Sequence, residues 1–423
     1  MARRAGGSAR PGAATTLPGT ISSADYHRWV NTNVVARERE LTVVSKPGVP
    51  GHGGLDAATG LLLDHLEITD GESLLDLHCG PGIVGSYAAR TAGSARIEMF
   101  DRNLLSVEAA RRTLDANAIE NANVSFGAAP ASSPAARFDA ATIRLPIGKL
   151  PTLHQLWTAF HHLRPGGRCY VAGANDEGIR TALRQLEVIF GNAELLGYRS
   201  GNRSGIALRP AEMPASANEH RIPWTDEALF REFIADTPAG PVRILSRPGV
   251  FSWDRVDAGS RALLDTMHIA PGESVLELGC GYGVVGIAAA MLSGTGMAAL
   301  VDVDAEAVRS ATRSAAANGL ADRVEVHASD GSSAVGDRQF DVVVTNPPFH
   351  LEKGTNLAIP SQFIRDAARA LAPGGRLYLV ANRTLPYERW LEAAFGSYEV
   401  ARNGKEFKVL TAVARPLQRV RKG

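Results

Sequence analysis

A chain of 423 residues is too long for one ordinary domain and predicts two of about 150–200 residues each. Its 45% hydrophobic and 21% charged residues read as a soluble globular protein, and no apolar run reaches the roughly 18 residues of a bilayer-crossing helix, so no membrane partner is expected. A net charge of +1 excludes a global basic field, so any nucleic acid must be met by local patches, and three cysteines (Cys79, Cys169, Cys280) without CxxC spacing exclude a disulfide framework and point to the reducing cytoplasm.

Residues 1–24 are rich in Gly, Ala, Arg, Ser and Pro, carry no acidic residue and lack a continuous apolar core. They predict a disordered extension rather than a secretory signal. Beyond them the chain repeats itself. Shifted by 201 positions, Ser45-Lys-Pro-Gly-Val49 falls on Ser246-Arg-Pro-Gly-Val250, and Asp76-Leu-His-Cys-Gly-Pro-Gly82 falls on Glu277-Leu-Gly-Cys-Gly-Tyr-Gly283. Over 45–118 against 246–319 there is no gap, and 29 of 74 positions are identical. The chain is therefore two copies of one domain. The first copy is assigned to 25–210 and the second to 223–416. Residues 211–222 have the polar, Pro/Ala-rich composition of a linker, and 417–423 form a basic tail.

In the second copy, 274–278 is a short apolar run ending in glycines, which predicts a buried parallel strand. A helix of small apolar residues over 284–292 follows, then a strand over 298–303. Residues 304–318 predict a helix closed by Gly319. Further strands are expected at 324–327 and 341–345, a helix at 362–371 stopped by Pro373-Gly374-Gly375, and a strand at 376–381. Residues 398–402 and 407–413 predict a terminal antiparallel pair, with Asn403-Gly404 as a type I′ turn. Strands alternating with helices at this spacing predict an α/β fold: a mostly parallel, doubly wound, Rossmann-like sheet in each copy. Ligands of such sheets bind beyond the carboxyl ends of the strands.

Glu277-Leu-Gly-Cys-Gly-Tyr-Gly283 occupies a strand-to-helix turn. Gly279, Gly281 and Gly283, with the small Cys280 between them, let the backbone approach a ligand closely. Alone the pattern also fits a tight structural turn or a nucleotide site. Asp302 then ends the second strand, where a carboxylate can accept both hydroxyls of a ribose. Asp330 follows the third, where it can accept from an adenine amino group. An acidic residue on three successive strand ends suits S-adenosyl-L-methionine better than a pyrophosphate cofactor, because Glu277 repels phosphate and suits an ammonium or its bound water.

Thr345-Asn-Pro-Pro-Phe349 follows the fourth strand. Pro347 and Pro348 fix the backbone so that the Asn346 side chain and the Pro347 carbonyl offer acceptor oxygens to one place. Together they can grip an NH2 group beside the cofactor and turn its lone pair toward the methyl, which is catalysis by positioning and electrostatics. Phe349 can stack on the planar ring that carries the amine. No strong general base is needed. An Asn-Pro-Pro turn by itself is only a turn.

With these residues in view, Asn346-Pro-Pro-Phe-His350, Pro248-Gly-Val-Phe-Ser252, Ala381-Asn-Arg-Thr-Leu-Pro-Tyr387 and Phe407-Lys-Val409 resemble the signature of the ribosomal RNA guanine-N2 methyltransferases of the RsmC/RlmG type. The resemblance covers nearly the whole chain from about residue 25. It implies two tandem class I methyltransferase domains, with catalysis in the second copy and RNA holding in the first. It also implies a guanine of ribosomal RNA, of the small subunit, as substrate, either as RNA or in a ribosomal subunit. The segment Leu351-Glu-Lys-Gly354 departs from the family pattern where substrate should be touched.

In the first copy the matching strand leads to Arg144, which offers no acceptor to an amine and predicts a copy that does not methylate. That copy keeps Asp76, Gly80, Gly82 and Asp101, read here as fold-maintaining turns rather than a surviving cofactor pocket. Arg144, Lys149 and Arg168 lie where phosphate could be met, although a solvated surface is the default for each. His327 reads as a strand residue, His350 as a wall residue, and His78 and Cys79 lack metal-ligand spacing, so no metal is expected. A monomer is expected. Two other readings stay open: methylation of another planar amine or amide, such as adenine N6 or a protein glutamine, and a non-catalytic RNA-binding or ribosome-assembly protein.

Overall fold

Each copy buries its apolar runs in a seven-stranded sheet covered on both faces. The computed structural model describes residues 22–415 except 53, 131–137, 220, 227, 349–356, 384 and 386. The expected N-terminal extension and basic tail therefore fall outside the described residues, apart from the last few residues before position 25. The first copy opens with a hairpin of β1 (Val30–Ala36) and β2 (Arg39–Ser45). Its sheet holds β3 (Ser73–Leu77), β4 (Arg96–Asp101), β5 (Ala122–Phe126), β6 (Phe138–Arg144), β7 (Leu163–Ala174), β8 (Glu194–Arg199) and β9 (Asn202–Leu208). The second copy repeats this with the hairpin β10 (Arg231–Thr237) and β11 (Gly240–Ser246). Its sheet holds β12 (Val275–Leu278), β13 (Ala298–Asp302), β14 (Val324–Ala328), β15 (Phe340–Thr345), β16 (Leu371–Asn382), β17 (Glu399–Asn403) and β18 (Phe407–Val413).

The second sheet runs in the order β14-β13-β12-β15-β16-β18-β17, and the first has the same order, β5-β4-β3-β6-β7-β9-β8. The pairs from β14 to β16 are parallel, and β18 lies antiparallel to both β16 and β17. This is the doubly wound α/β fold with a terminal antiparallel strand that the sequence predicts. The chain steps outward from β12 to β14 and returns to β15 on the other side of β12, which puts the switch point between β12 and β15. Val275, Leu276 and Leu278 are fully buried because helices cover both faces of the strand. The helix Val284–Ser293 lies close on the sheet through Gly286, where a Cβ would come within 2.6 Å of the Glu277 carboxylate and 2.7 Å of Leu300.

Three local expectations change. Asn403 is paired with Lys408 inside the ladder, and neither it nor Gly404 takes the positive φ of a type I′ turn. The connection is longer, closed by the Gly404 N–H donating to the Phe407 carbonyl at 2.9 Å. The linker is not structureless: it contains the helix Ala215–Glu219, and Ala217, Met213 and Ile222 pack against the first copy's core. The start of the first copy lies in the helix Ser23–His27, whose Tyr26 is buried in the core of the second copy. A five-residue helix has too little periodicity for its sequence to name the core it joins.

The copies meet about a pseudo-two-fold axis. Asn103 and Asp304, 201 positions apart, form an antiparallel bridge. The Leu104 N–H donates to the Val303 carbonyl at 2.8 Å, and its repeat mate, the Ala305 N–H, donates to the Arg102 carbonyl at 2.8 Å. One surface patch thus pairs with its own duplicate, as in an isologous dimer joined within one chain. The side chains at the bridge are not symmetric. Arg102, where the second copy has Val303, donates two hydrogen bonds of 2.6 Å to the Asp304 carboxylate. Asp304 also caps the helix Ala305–Ala317. Arg102→Ala should therefore destabilise the protein by about 1–3 kcal/mol, because a mostly buried carboxylate loses a charged bidentate donor. Urea denaturation of the whole chain measures this loss.

Candidate functional site

The parallel pairing sets the site. Leu278 at the end of β12 lies opposite Thr345 at the end of β15, and the Thr345 hydroxyl donates to the Leu278 carbonyl at 2.8 Å. The two chains leave the sheet side by side, on strands about 4.8 Å apart. Gly279 therefore neighbours Asn346, and Asp302 ends the strand on the other side of β12.

Gly279, Gly281 and Gly283 all take positive φ, at 71°, 56° and 85°. A Cβ at Gly279 would also come within 3.1 Å of the Phe363 ring. The Gly281 N–H donates to Asp302 Oδ2 at 2.8 Å, and the Asp304 N–H to Asp302 Oδ1 at 3.0 Å. These bonds fix the carboxylate while leaving each oxygen a further lone pair. Asp302 is partly open to solvent. Burial, helped by the neighbouring Asp304 charge, raises its carboxyl to about 6. Cys280 is buried and its thiol is held protonated by burial and by Asp302, so it is no nucleophile.

Glu277 lies under the following helix. It is only 5% exposed, and its Oε2 accepts from the Gly286 N–H at 2.8 Å. Burial raises it to about 8. The partner that the structure shows for it is the start of the following helix, reached because Gly286 has no side chain in the way.

Asp330 follows β14 as expected, but its carboxylate is engaged by the first copy. The Tyr26 hydroxyl donates to Oδ1 at 2.8 Å, and the buried Lys46 ammonium pairs with Oδ2. Sequence reasoning missed both donors. Lys46 has Arg247 as its repeat mate, and Arg247 stays within its own copy, paired to Glu306 at 2.7 Å.

Asn346 is half-buried. Its Nδ2 donates to Asp257 Oδ1 at 3.2 Å and to Ser260 Oγ at 3.1 Å. A carboxylate can only accept, so the NH2 end of the amide faces Asp257 and the carbonyl oxygen lies on the opposite side. Neither Asp257 nor Ser260 was singled out from sequence, although Asp257 is identical to its repeat mate Asp56. Pro347 is buried and Pro348 exposed. Phe349, His350 and the segment 351–354 lie outside the described residues.

The first copy shows the same frame closed. Arg144 stands in the place of Asn346. It is held by Glu177 at 2.7 and 3.0 Å and by Asp56 at 3.3 Å, so it faces carboxylates and not phosphate. Arg168 is likewise paired, with Glu72 at 2.7 Å. His78 replaces Gly279 at a φ of 59° and approaches the Arg144 carbonyl at 2.9 Å. Asp101, the mate of Asp302, is 1% exposed. The space left among His78, Asp101, His154, Arg247 and Glu306 is about 20 Å³, room for a water and not for a nucleoside. His327 is a β14 residue beside Glu325. Among the described residues, no group of three or more His, Cys, Asp or Glu side chains could hold a metal, and no helix is long and apolar enough to cross a membrane.

Comparison with known proteins agrees with this geometry. The family model for the methyltransferase small domain matches twice, over residues 40–202 and 241–411. The ribosomal RNA small subunit methyltransferase C of Stutzerimonas stutzeri is 35% identical over 290 residues, covering 68% of this chain and 82% of that protein. Its namesake from Chromohalobacter salexigens is 40% identical over 256 residues, covering 59% of this chain and 71% of that protein. Among solved structures, the T. thermophilus 16S rRNA N2 methyltransferase RsmC, in complex with AdoMet and guanosine, matches with a TM-score of 0.77 and 28% identity. It covers 93% of this chain and all of that one.

The buried Glu277 carries a pH signature. Its carboxyl ordinarily titrates near 4.5 and in the fold near 8, so the folded protein keeps the proton longer. The stability it contributes is complete below about 4.5 and is lost as pH rises toward 8. Glu277→Gln keeps the acceptor for Gly286 and has no proton to lose. Between pH 5 and pH 8 the wild type should lose on the order of 2–4 kcal/mol relative to this variant. Chemical denaturation of both proteins at the two pH values measures the difference.

Proposed function

This chain belongs to the methyltransferase small-domain family, among the ribosomal RNA small subunit methyltransferases of the RsmC type, and from that premise we propose that it methylates the exocyclic N2 amine of a guanine in 16S ribosomal RNA. The observation that carries the reading is the Asn346 amide, turned carbonyl-outward on the strand next to the Gly279 turn. Support for guanine comes from the similar RsmC enzyme, solved with AdoMet and guanosine.

The residues present fit S-adenosylmethionine. The Gly279–Gly283 turn offers bare backbone, and Asp302 keeps lone pairs for the two ribose hydroxyls where its silent mate Asp101 is sealed. Asp330 is the proposed acceptor for the adenine amine, held by Tyr26 and Lys46. When bound, the cofactor supplies an electrophilic methyl group. The protein's part is to bind and orient. Asn346 Oδ1 and the Pro347 carbonyl accept the two N–H bonds of the amine, which directs its lone pair. Phe349 is proposed to stack on the base, which must leave its own stack to enter. The methylated nitrogen is acidic enough to shed a proton to water, so neither Cys280 nor Glu277 is needed as a base. The first copy, whose own pocket is closed, is assigned to holding RNA and completing the second copy.

Two measurements test this. Asp302→Ala should bind S-adenosylmethionine much more weakly by calorimetry, and unchanged affinity would remove the ribose assignment. Asn346→Ala should bind cofactor normally but transfer methyl about a hundred- to a thousandfold more slowly, a loss of about 2–4 kcal/mol in the transition state. Single-turnover transfer to small-subunit RNA, followed by nuclease digestion and mass spectrometry, should give N2-methylguanosine. N6-methyladenosine as product would reject the guanine reading.

A further inference from the structure

We propose that Asp257, Gly259 and Ser260, at the start of the helix Ala258–Leu264, are positioning residues for methyl transfer: they lock the Asn346 amide so that only its carbonyl oxygen faces the acceptor amine. The proposal rests on Asn346 being the residue that grips that amine.

An amide is nearly symmetric in shape, and its two ends differ only in donating or accepting. A flipped Asn346 would present NH2 to NH2, and the acceptor amine would lose the contact that turns its lone pair. Packing alone cannot prevent the flip, whereas a fixed acceptor can. Asp257 is such an acceptor. Its Oδ1 takes the Gly259 N–H at 2.9 Å and the Ser260 N–H at 3.1 Å as the helix cap, and the same oxygen takes Asn346 Nδ2 at 3.2 Å. Ser260 Oγ supplies the second acceptor at 3.1 Å. Gly259 makes the approach possible: a Cβ there would stand 3.1 Å from Asn346 Nδ2 and 3.2 Å from its Oδ1.

The silent copy is an internal control. Its equivalent residues are Asp56, Ala58 and Thr59. Asp56 caps its helix in the same way, so the cap belongs to the fold of both copies. There, however, Thr59 turns its hydroxyl onto Asp56 itself, and Asp56 Oδ1 meets Arg144. Only the copy with Asn at the strand end has Gly and Ser at these two positions. The small residues follow the amide, not the helix.

The test uses two substitutions that favour the helix, Ser260→Ala, which leaves the cap intact, and Gly259→Ala, whose Cβ would also come within 3.0 Å of Asp257 Oδ1. Each should lower the single-turnover transfer rate about three- to tenfold or more, with S-adenosylmethionine affinity within about twofold, and Ser260→Ala should keep the wild-type thermal midpoint. Thr59→Ala in the silent copy should leave the rate unchanged. A spectroscopic readout accompanies the kinetics. In protein labelled with 15N-asparagine, the side-chain NH2 pair absent from Asn346→Ala identifies the amide, and its exchange with solvent should quicken in Ser260→Ala. If Asn346→Ala is slow while both helix variants transfer at the wild-type rate, the lock is wrong and the site reading stands. If Asn346→Ala itself transfers at the wild-type rate, the site reading falls and the lock falls with it.

Discussion

The parallel register that sets Leu278 opposite Thr345 is the constraint on which the site depends. Both residues end buried strands at the point where the chain reverses its direction of travel across the sheet. At that point the segments leaving the strand ends turn outward together. One of these segments is a run of left-handed glycines and the other an Asn-Pro-Pro turn. The sheet thereby brings a bare backbone cradle and a rigid acceptor to adjoining places, although they lie 67 positions apart in the chain. A one-residue slip in that register would send Thr345 to the other face and remove Asn346 from the cradle.

The duplication shows how few side chains distinguish the two frames. Both copies keep the strand order, the acidic residues of the first two strands and the aspartate cap of the helix beside the acceptor position. In one, that aspartate holds an asparagine amide. In the other it holds a guanidinium that two carboxylates neutralise. A histidine in place of the first glycine fills the cradle, and the second copy's Arg247 and Glu306 close what remains. Residues of the second copy thus wall the first copy's cradle.

The two halves are also bound through the site. Tyr26 and Lys46 belong to the first copy by sequence, yet both end on Asp330 of the second. Lys46 is almost fully buried, and a buried ammonium requires a paired carboxylate. This contact ties the first copy's placement to the shape of the second copy's pocket. It gives a physical reason for the two copies to stay together in one chain.

Much of this was determined by the sequence alone. A gapless repeat, strand runs too apolar for anything but a covered parallel sheet, and prolines and glycines at strand ends are local properties. They yield the fold and, as expectations, the silence of the first copy and the roles of Gly279, Asp302 and Asn346, without reference to anything distant. The tertiary structure decided what depends on residues far apart in the chain. Only the fold shows that the helix Ser23–His27 joins the other copy's core, that Lys46 and Tyr26 reach Asp330, and that Glu277 turns under its helix onto Gly286. Only the fold shows that an aspartate 89 positions away orients the Asn346 amide. The polar contacts among these leave no periodicity in the chain, only geometry in the folded molecule.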